Sequence, residues 1–457
     1  MARTTPRWRA GHGPIEPPVG LPIWAAYWAA YWAAYWDAYW DAYWDAYWGF
    51  LFGAAMKGRV LVVNAGSSSV KLSVLDEDDG LVASESVPAP GGKVDQDALT
   101  DVVRRSQPIS AVGHRIVHGG TEFVEPVLID EKVVRKLEAL GDLAPLHQPK
   151  SLVGLEAVSR LLPGVPAVAC FDTAFHATIP PEAHTYALPP QWRRRWELRR
   201  YGFHGLSHAY ASRRVAEMMA VPMVVAAAAP APSAGGTHLA TATARPAGKA
   251  GPGASPGPLR VVTCHLGAGA SLAAVRGGAS VDTTMGFTPL EGLVMATRSG
   301  SVDPGLVLWL EEHVGMPPAE LASTLEHRSG LFGLAGTPDM RQVLEAEAAG
   351  DQAAVLAMGV YLHRLRGAIA SMAAAMDGFD AVCFTGGVGE RSGPVRRRAA
   401  EGLGFLGVSL DLGKNEHAAP DCELSAQGAR VRTFLVEARE DLEIVRGVRS
   451  VLGGTGG

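Results

Sequence analysis

The stretch VLVVNAGSSSVKLSVLD, Val60 to Asp76, constrains the fold more than any other. An apolar run, Val60 to Val63, stops at Asn64, a turn of small polar residues follows, and alternation resumes through Lys71. Such a pattern reads as strand, turn, strand. A two-residue Asn-Gly turn would close a hairpin with less, so an asparagine, three serines and a lysine at the tip need another reason. The pattern returns in LRVVTCHLGAGASLAAV, Leu259 to Val275, and AVCFTGGVGERS, Ala381 to Ser392, runs a strand into a glycine turn ahead of a helix. Without a Cβ in the way, backbone N–H groups of such turns can approach a phosphate closely. One glycine turn serves equally well to turn a corner. Three, two of them alike, imply a duplicated α/β unit gripping a nucleotide between its halves. Neither GxxxxGK[ST] nor GxGxxG with a following ribose-binding acid occurs in the sequence, which excludes a P-loop NTPase and a dinucleotide dehydrogenase by motif.

A chain of 457 residues has room for two or three domains, each with a real core. Its net charge of −5 gives no reason to expect nucleic acid or an anionic membrane as partner. Cys170, Cys264, Cys383 and Cys422 are scattered without a CxxC pair, and three lie in apolar, strand-like runs. Buried free thiols in a reducing, cytoplasmic compartment are expected. Between Trp24 and Trp48 the chain repeats Ala-Ala-Tyr-Trp and then Asp-Ala-Tyr-Trp, a segment holding seven of the 11 tryptophans. A period of four drifts around a helix, and Asp37, Asp41 and Asp45 interrupt it too often for a membrane span. The segment reads as a translated repeat, with Met56 the expected start of the folded chain, so residues 1–55 are set apart. The Ala/Pro/Gly/Thr-rich stretch 225–258 cannot build a core and is expected to be a flexible insertion in a compact domain.

Polar residues gather beside apolar runs. GHRIVHGG carries Arg115 and His118, LAPLHQP carries His147, and ACFDTAFHATIP carries Asp172 and His176. RRYGFHGLSHAY places His204 and His208 four apart at a helix start, and DTTMGFTPLEGLVMATRSGSVDPG contains Arg298 and Asp303. Zinc finds no third ligand of suitable spacing and no HExxH. Each histidine taken singly is more often a hydrogen-bonded core residue than a catalyst. The arginines weigh more, because Arg115 and Arg298 lie in Gly-rich, low-charge surroundings where an unpaired guanidinium is costly. Their planar forks suit carboxylate or phosphoryl oxygens. With an aspartate at a strand end, they point to phosphoryl transfer onto a small anion.

NAGSSSVK, GHRIVHGG, FDTAFHATIP, YGFHGLSH, DTTMGFTPLEGLVMATRSG and FTGGVGE, in this order, resemble the acetokinase family from Met56 to the C-terminus, the insertion aside. The resemblance implies an α/β fold of duplicated ribonuclease-H-like, actin-like domains with the active-site cleft between them. It implies residues 56–172 plus 440–457 for the first domain and 173–439 for the second. It also implies a homodimer, ATP as co-substrate, Mg²⁺ with Mn²⁺ as a substitute, and reversible transfer of the ATP γ-phosphoryl group to acetate. The same reaction on propionate or butyrate, and a non-catalytic actin-like ATP-binding protein, are the alternative readings.

Carried over by motif, Asn64 and Glu440 are implied at the metal, while Lys71, Ser67 and Ser69 reach the nucleotide phosphates. Arg115 is implied to bind the acetate carboxylate, with Val117, Leu146, Phe203 and Pro289 lining a short methyl pocket. His204 and Arg298 would stabilise the transferring phosphoryl group, and Asp172 is the residue the family treats as catalytic. Because acetate is already ionised, Asp172 is expected to orient Arg115, Arg298 or a metal-bound water rather than to move a proton. Three segments resemble nucleotide-binding ones: His265, Leu266, Gly267, Ala268 and Gly269; Asp339, Met340 and Arg341; Gly387, Val388, Gly389, Glu390 and Arg391. Ala268 and Arg391 stand where the family often has asparagine.

Overall fold

Two six-stranded sheets are built on one plan. In the first, β1 (Arg59–Ala65), β2 (Ser69–Leu75), β3 (Leu81–Pro88), β4 (Ile109–Ile116), β5 (Val127–Leu128) and β6 (Ala167–Phe171) lie in the spatial order β3-β2-β1-β4-β6-β5. In the second, β7 (Arg260–Leu266), β8 (Ala270–Arg276), β9 (Ala279–Thr283), β10 (Ala381–Thr385), β11 (Cys422–Glu423) and β12 (Arg432–Leu435) lie in the order β9-β8-β7-β10-β12-β11. Strand directions match as well: β1 runs antiparallel to β2 and parallel to β4, as β7 does to β8 and β10. Each sheet also ends in an antiparallel edge pair, β5 on β6 and β11 on β12. The fold is therefore the duplicated α/β arrangement that the recurring strand–turn–strand pattern implied, of the ribonuclease-H-like kind that the resemblance implied. A computed structural model describes residues 58–65, 69–89, 94–143, 148–221 and 257–453. Expectations for residues 1–55, for Ser67 and Leu146, and for the insertion up to residue 256 lie outside the described residues.

Helices cover both faces of each sheet, so the central strands are buried in continuous runs rather than at alternate residues. On one face of the first sheet, Leu99, Val102 and Val103 of the helix Gln96–Arg105 and Ala157 and Val158 of the helix Gln148–Leu161 pack against Leu61, Val63 and Val112. On the other face lies the helix Glu440–Gly453. A Cβ on Gly113 of β4 would stand 2.4 Å from Ile444 and 2.9 Å from Val448, so only glycine lets this helix seat there. That seating delivers Glu440, the first residue of the helix, to the strand ends.

The second sheet carries the long helix Gln352–Ala374 on one face. Its buried residues Ala354, Ala357, Met358, Tyr361, Leu362, Leu365 and Ile369 follow the three–four spacing of one helical stripe. They pack with Val262, Leu272 and Ala274 of β7 and β8. The helix Gly205–Met218 covers the opposite face, where Tyr210, Ala211 and Val215 meet Val261, Cys383 and Phe434. Cys170, Cys264 and Cys383 are buried free thiols in β6, β7 and β10, as their apolar surroundings implied, while Cys422 is half-buried.

Candidate active site

Four neighbouring strands of the first sheet each bring one polar group to the same end. Asn64 of β1 faces Lys71 of β2 across the hairpin, Arg115 lies on β4, and Asp172 follows β6 directly. Arg115 Nε donates to Asp172 Oδ1 at 3.0 Å, and Nη2 donates to Oδ2. Arg115 Nη1 donates to Asn64 Oδ1 at 3.0 Å, and Asn64 Nδ2 donates to Glu440 Oε2 at 3.1 Å. Glu440 also stands 3.8 Å from Arg115. Among the described residues these contacts use three of the five guanidinium N–H groups and leave two for a ligand.

Burial pulls the Arg115 guanidinium down, and the carboxylates of Asp172 and Glu440 outweigh it, so it sits above its usual value. Burial pushes the Asp172 carboxyl up against the opposing pull of Arg115. With two guanidinium nitrogens donating to it, Asp172 stays ionised at neutral pH. Both of its carboxylate oxygens are engaged by Arg115.

Asp172 is joined to the next cluster through its backbone. Gly205 N donates to the Asp172 carbonyl at 2.8 Å, and a Cβ on Gly205 would come within 2.2 Å of that oxygen. The preceding residue, His204, caps the helix Gly205–Met218 in the left-handed conformation, with φ at 56°. The ring of His204 stacks on His265 of β7, centroids 4.4 Å apart. Where Gly269 would carry a Cβ, His204 Nε2 and Arg298 Nη1 each lie 3.4 Å away. His204 and Arg298 thus flank the tip of the second hairpin. Arg298 also contacts the Pro289 carbonyl at 3.4 Å. Burial lowers the pKa of Arg298, with Glu326 opposing. His204 is held well below the usual imidazole range by burial, then by His265, Arg115, His208 and Arg298, and is neutral at pH 7.

On the far side of that tip opens a cavity of about 540 Å³, in the range of small-molecule sites. Gly267 and Ala268, Asp339 to Arg341, and Gly387, Val388 and Arg391 all line it, so the three glycine- and aspartate-containing segments converge. Leu331, Leu344 and Tyr361 complete an apolar wall. Asp339 caps the helix Met340–Ala348 and pairs with Arg341, which holds its carboxyl down at about 2. Within the same segments, Leu266 and Gly389 are buried in the core, and His265 and Gly269 belong to the His204–Arg298 side. Glu390 turns away from the cavity: its Oε1 accepts from Gly386 N and Ala438 N, both at 3.0 Å. It pins the glycine turn to the segment after β12. Val117 and Phe203 are buried in one apolar cluster. Sequence reasoning missed Ser207, Ser271 and Thr263, whose hydroxyls hold the histidines. The signal for Ser271 and Thr263 was the hairpin register, which sets His265 opposite Ser271 and Thr263 opposite Ala273.

The model of the acetokinase family matches residues 91–227 and 254–446. The acetate kinase of Acetivibrio thermocellus is 38% identical over 421 residues, 85% of this chain and 97% of that one. The chain belongs to the acetokinase family. A second acetokinase relative, the acetate kinase of Thermotoga maritima, is 39% identical over 430 residues, 86% of this chain and 98% of that one. The crystal structure of Porphyromonas gingivalis acetate kinase superposes with a TM-score of 0.74 at 32% identity, covering 86% of this chain and all of that one. A propionate kinase from Francisella tularensis superposes with a TM-score of 0.73 at 30% identity, covering 85% and 98%. The family match takes in β4 to β6 of the first sheet, with Arg115 and Asp172, and the whole second sheet with Glu440.

Proposed function

We propose that this protein is an ATP-dependent acetate kinase, transferring the γ-phosphoryl group of ATP to acetate, reversibly, to give acetyl phosphate and ADP. One observation carries the reading: two cationic or donor side chains, His204 and Arg298, stand beside a hairpin tip whose next residues, Gly267 and Ala268, line the cavity. Phosphoryl transfer needs little covalent chemistry from the protein, because charge spreads over equatorial oxygens and positioned donors stabilise it. The nucleotide would lie in the cavity with its phosphates directed past Gly267 and Gly269 toward His204, Arg298 and Lys71. The carboxylate of acetate would take the two remaining N–H groups of Arg115, which Asp172 holds in place. Glu440 offers carboxylate oxygens that fit Mg²⁺, an ion that keeps waters and phosphate oxygens in its other positions. Asn64, which donates to Glu440 through Nδ2 and accepts from Arg115 at Oδ1, would complete the metal site beside it. When bound, the ion would neutralise charge on the transferring and leaving oxygens. A hydroxamate assay with acetate, propionate and butyrate, with and without Mg²⁺, tests the reading. No hydroxamate with any of the three acids would overturn it.

The structural similarity to a propionate kinase keeps a longer acid as the second reading. The acetate reading is favoured by Val117, whose β-branched side chain is buried in the same apolar cluster as Phe203 and would keep the proposed methyl pocket short. Because a methylene is worth about 1–3 kcal/mol in such a pocket, discrimination should be partial. Val117→Ala is expected to raise the propionate-to-acetate ratio of kcat/KM by about tenfold. An unchanged ratio would remove Val117 from the acyl pocket.

The first domain would comprise 56–172 with the C-terminal helix, and the second 173–439. A homodimer finds support in the helix Pro304–Val314, PGLVLWLEEHV, which buries none of its residues in the chain. Trp309 is 50% exposed, and Leu306 and Leu308 are exposed beside it. A second copy would cover this face. Trp309→Glu is then expected to shift the sedimenting species from dimer to monomer at micromolar concentration, whereas a wild-type monomer would rule the interface out. The buried thiols agree with a reducing cytoplasm, and no helix among the described residues is long and apolar enough to cross a membrane.

A further inference from the structure

The ring of His204 ends a chain of hydrogen bonds. His204 Nδ1 lies 2.9 Å from Ser271 Oγ, which lies 2.8 Å from His208 Nε2. His208 Nδ1 lies 2.8 Å from Thr263 Oγ1, and that hydroxyl faces the Ala273 carbonyl at 3.4 Å. Ser271, His208 and Thr263 are fully buried. The other nitrogen of His204, Nε2, makes no hydrogen bond among the described residues and lies beside Gly269 and Arg298.

A hydroxyl has one hydrogen to give, and a neutral imidazole has one N–H. Ser271 stands between two ring nitrogens, so it donates to one and must accept from the other. If it donates to His204 Nδ1, His204 carries its hydrogen on Nε2. His208 then donates from Nε2, and its Nδ1 accepts from Thr263. If Ser271 donates to His208 Nε2 instead, both rings carry hydrogen on Nδ1, and Thr263 turns to Ala273. The two rings therefore share one tautomer in either setting. The second setting gains only the long Thr263–Ala273 contact, so the two lie close in energy.

We propose that Ser271, His208 and Thr263 are positioning residues: a two-setting chain that decides whether His204 Nε2 offers a hydrogen or a lone pair to the cleft. The inference rests on the phosphoryl-transfer reading for its use, since an anionic phosphoryl oxygen selects the Nε2–H setting. Both rings are neutral, as the chain requires, because burial holds each well below the ordinary histidine range. His176 lies against His208, centroids 5.7 Å apart, but is committed elsewhere, to the Phe203 carbonyl at 3.0 Å and Ser280 at 2.8 Å. His265 is held separately by Ser207 at 2.7 Å.

The test is multiple-bond ¹H–¹⁵N NMR on histidine-labelled full-length protein, with His204→Gln and His208→Gln used to assign the two rings. Free protein should show both rings in the same tautomer, and protein with Mg²⁺ and acetyl phosphate, ADP being left out to prevent turnover, should show both as Nε2–H. One ring on Nδ1 and the other on Nε2 would overturn the chain without any variant having to fold. Ser271→Ala should uncouple the two tautomers and lower kcat about tenfold, the worth of one hydrogen bond, with KM for ATP and acetate nearly unchanged. An unaltered kcat would also overturn the positioning role. Tautomers are read without turnover, so a protein inactive on acetate would sink the functional reading alone, and mismatched rings in an active enzyme would sink the chain alone.

Discussion

Arg298→Ala is expected to lower kcat about 10³-fold while KM for acetate and ATP moves only a few-fold, the pattern left by removing a donor aimed at the transition state. The guanidinium stands beside His204 at the Gly269 tip, where charge would develop on the transferring group. It is charged at every working pH, so no pH adjustment should restore the rate. Arg298→Lys should recover only part of it, because an ammonium is a point charge and lacks the planar fork. Steady-state kinetics in both directions, with a thermal melt to confirm folding, make the measurement. A raised KM with an intact kcat would move Arg298 from the reaction to ground-state binding.

Asp172→Asn should cost about 10²–10³ in kcat, since it loosens the guanidinium that would hold acetate in line. Asp172 is 1% exposed and is engaged by two nitrogens of Arg115. Truncating one side of such a buried pair commonly costs about 3–5 kcal/mol of stability. Asparagine keeps one acceptor oxygen and should lose less than alanine does. Acetate arrives ionised, so no proton has to leave it, and the ratio of mutant to wild-type rate should stay flat between pH 6 and 8. A limb in that range that is present in wild type and absent in Asp172→Asn would assign proton transfer to this carboxyl. Comparing Arg115→Ala, Asp172→Asn and the double variant would isolate the coupling between the two residues.

The hairpins could be read from the chain because their apolar runs and small-residue turns alternate locally, and Gly387 and Val388 follow β10 as the strand-then-glycine pattern implied. Glu440 could not be placed by spacing. It reaches Asn64 only because a glycine in β4 admits a helix from the far end of the chain. Glu390 read as part of a nucleotide turn, yet its carboxylate bonds two backbone amides, a use of acid groups that leaves no periodic trace. Ser271 and Thr263 looked like ordinary small strand residues. Their importance comes from register across a hairpin and from a helix start on the opposite face, which are tertiary facts.

Duplication gave the two hairpins a common address. Asn64 is the sixth residue of β1 and His265 the sixth of β7, and across each ladder they face Lys71 and Ser271. At that address one half of the molecule holds an amide and an ammonium, and the other an imidazole and a hydroxyl. Identical tips would welcome two equivalent anions. Unlike tips break the inherited symmetry and give the cleft a polarity, with one end suited to holding charge and the other to steering hydrogen.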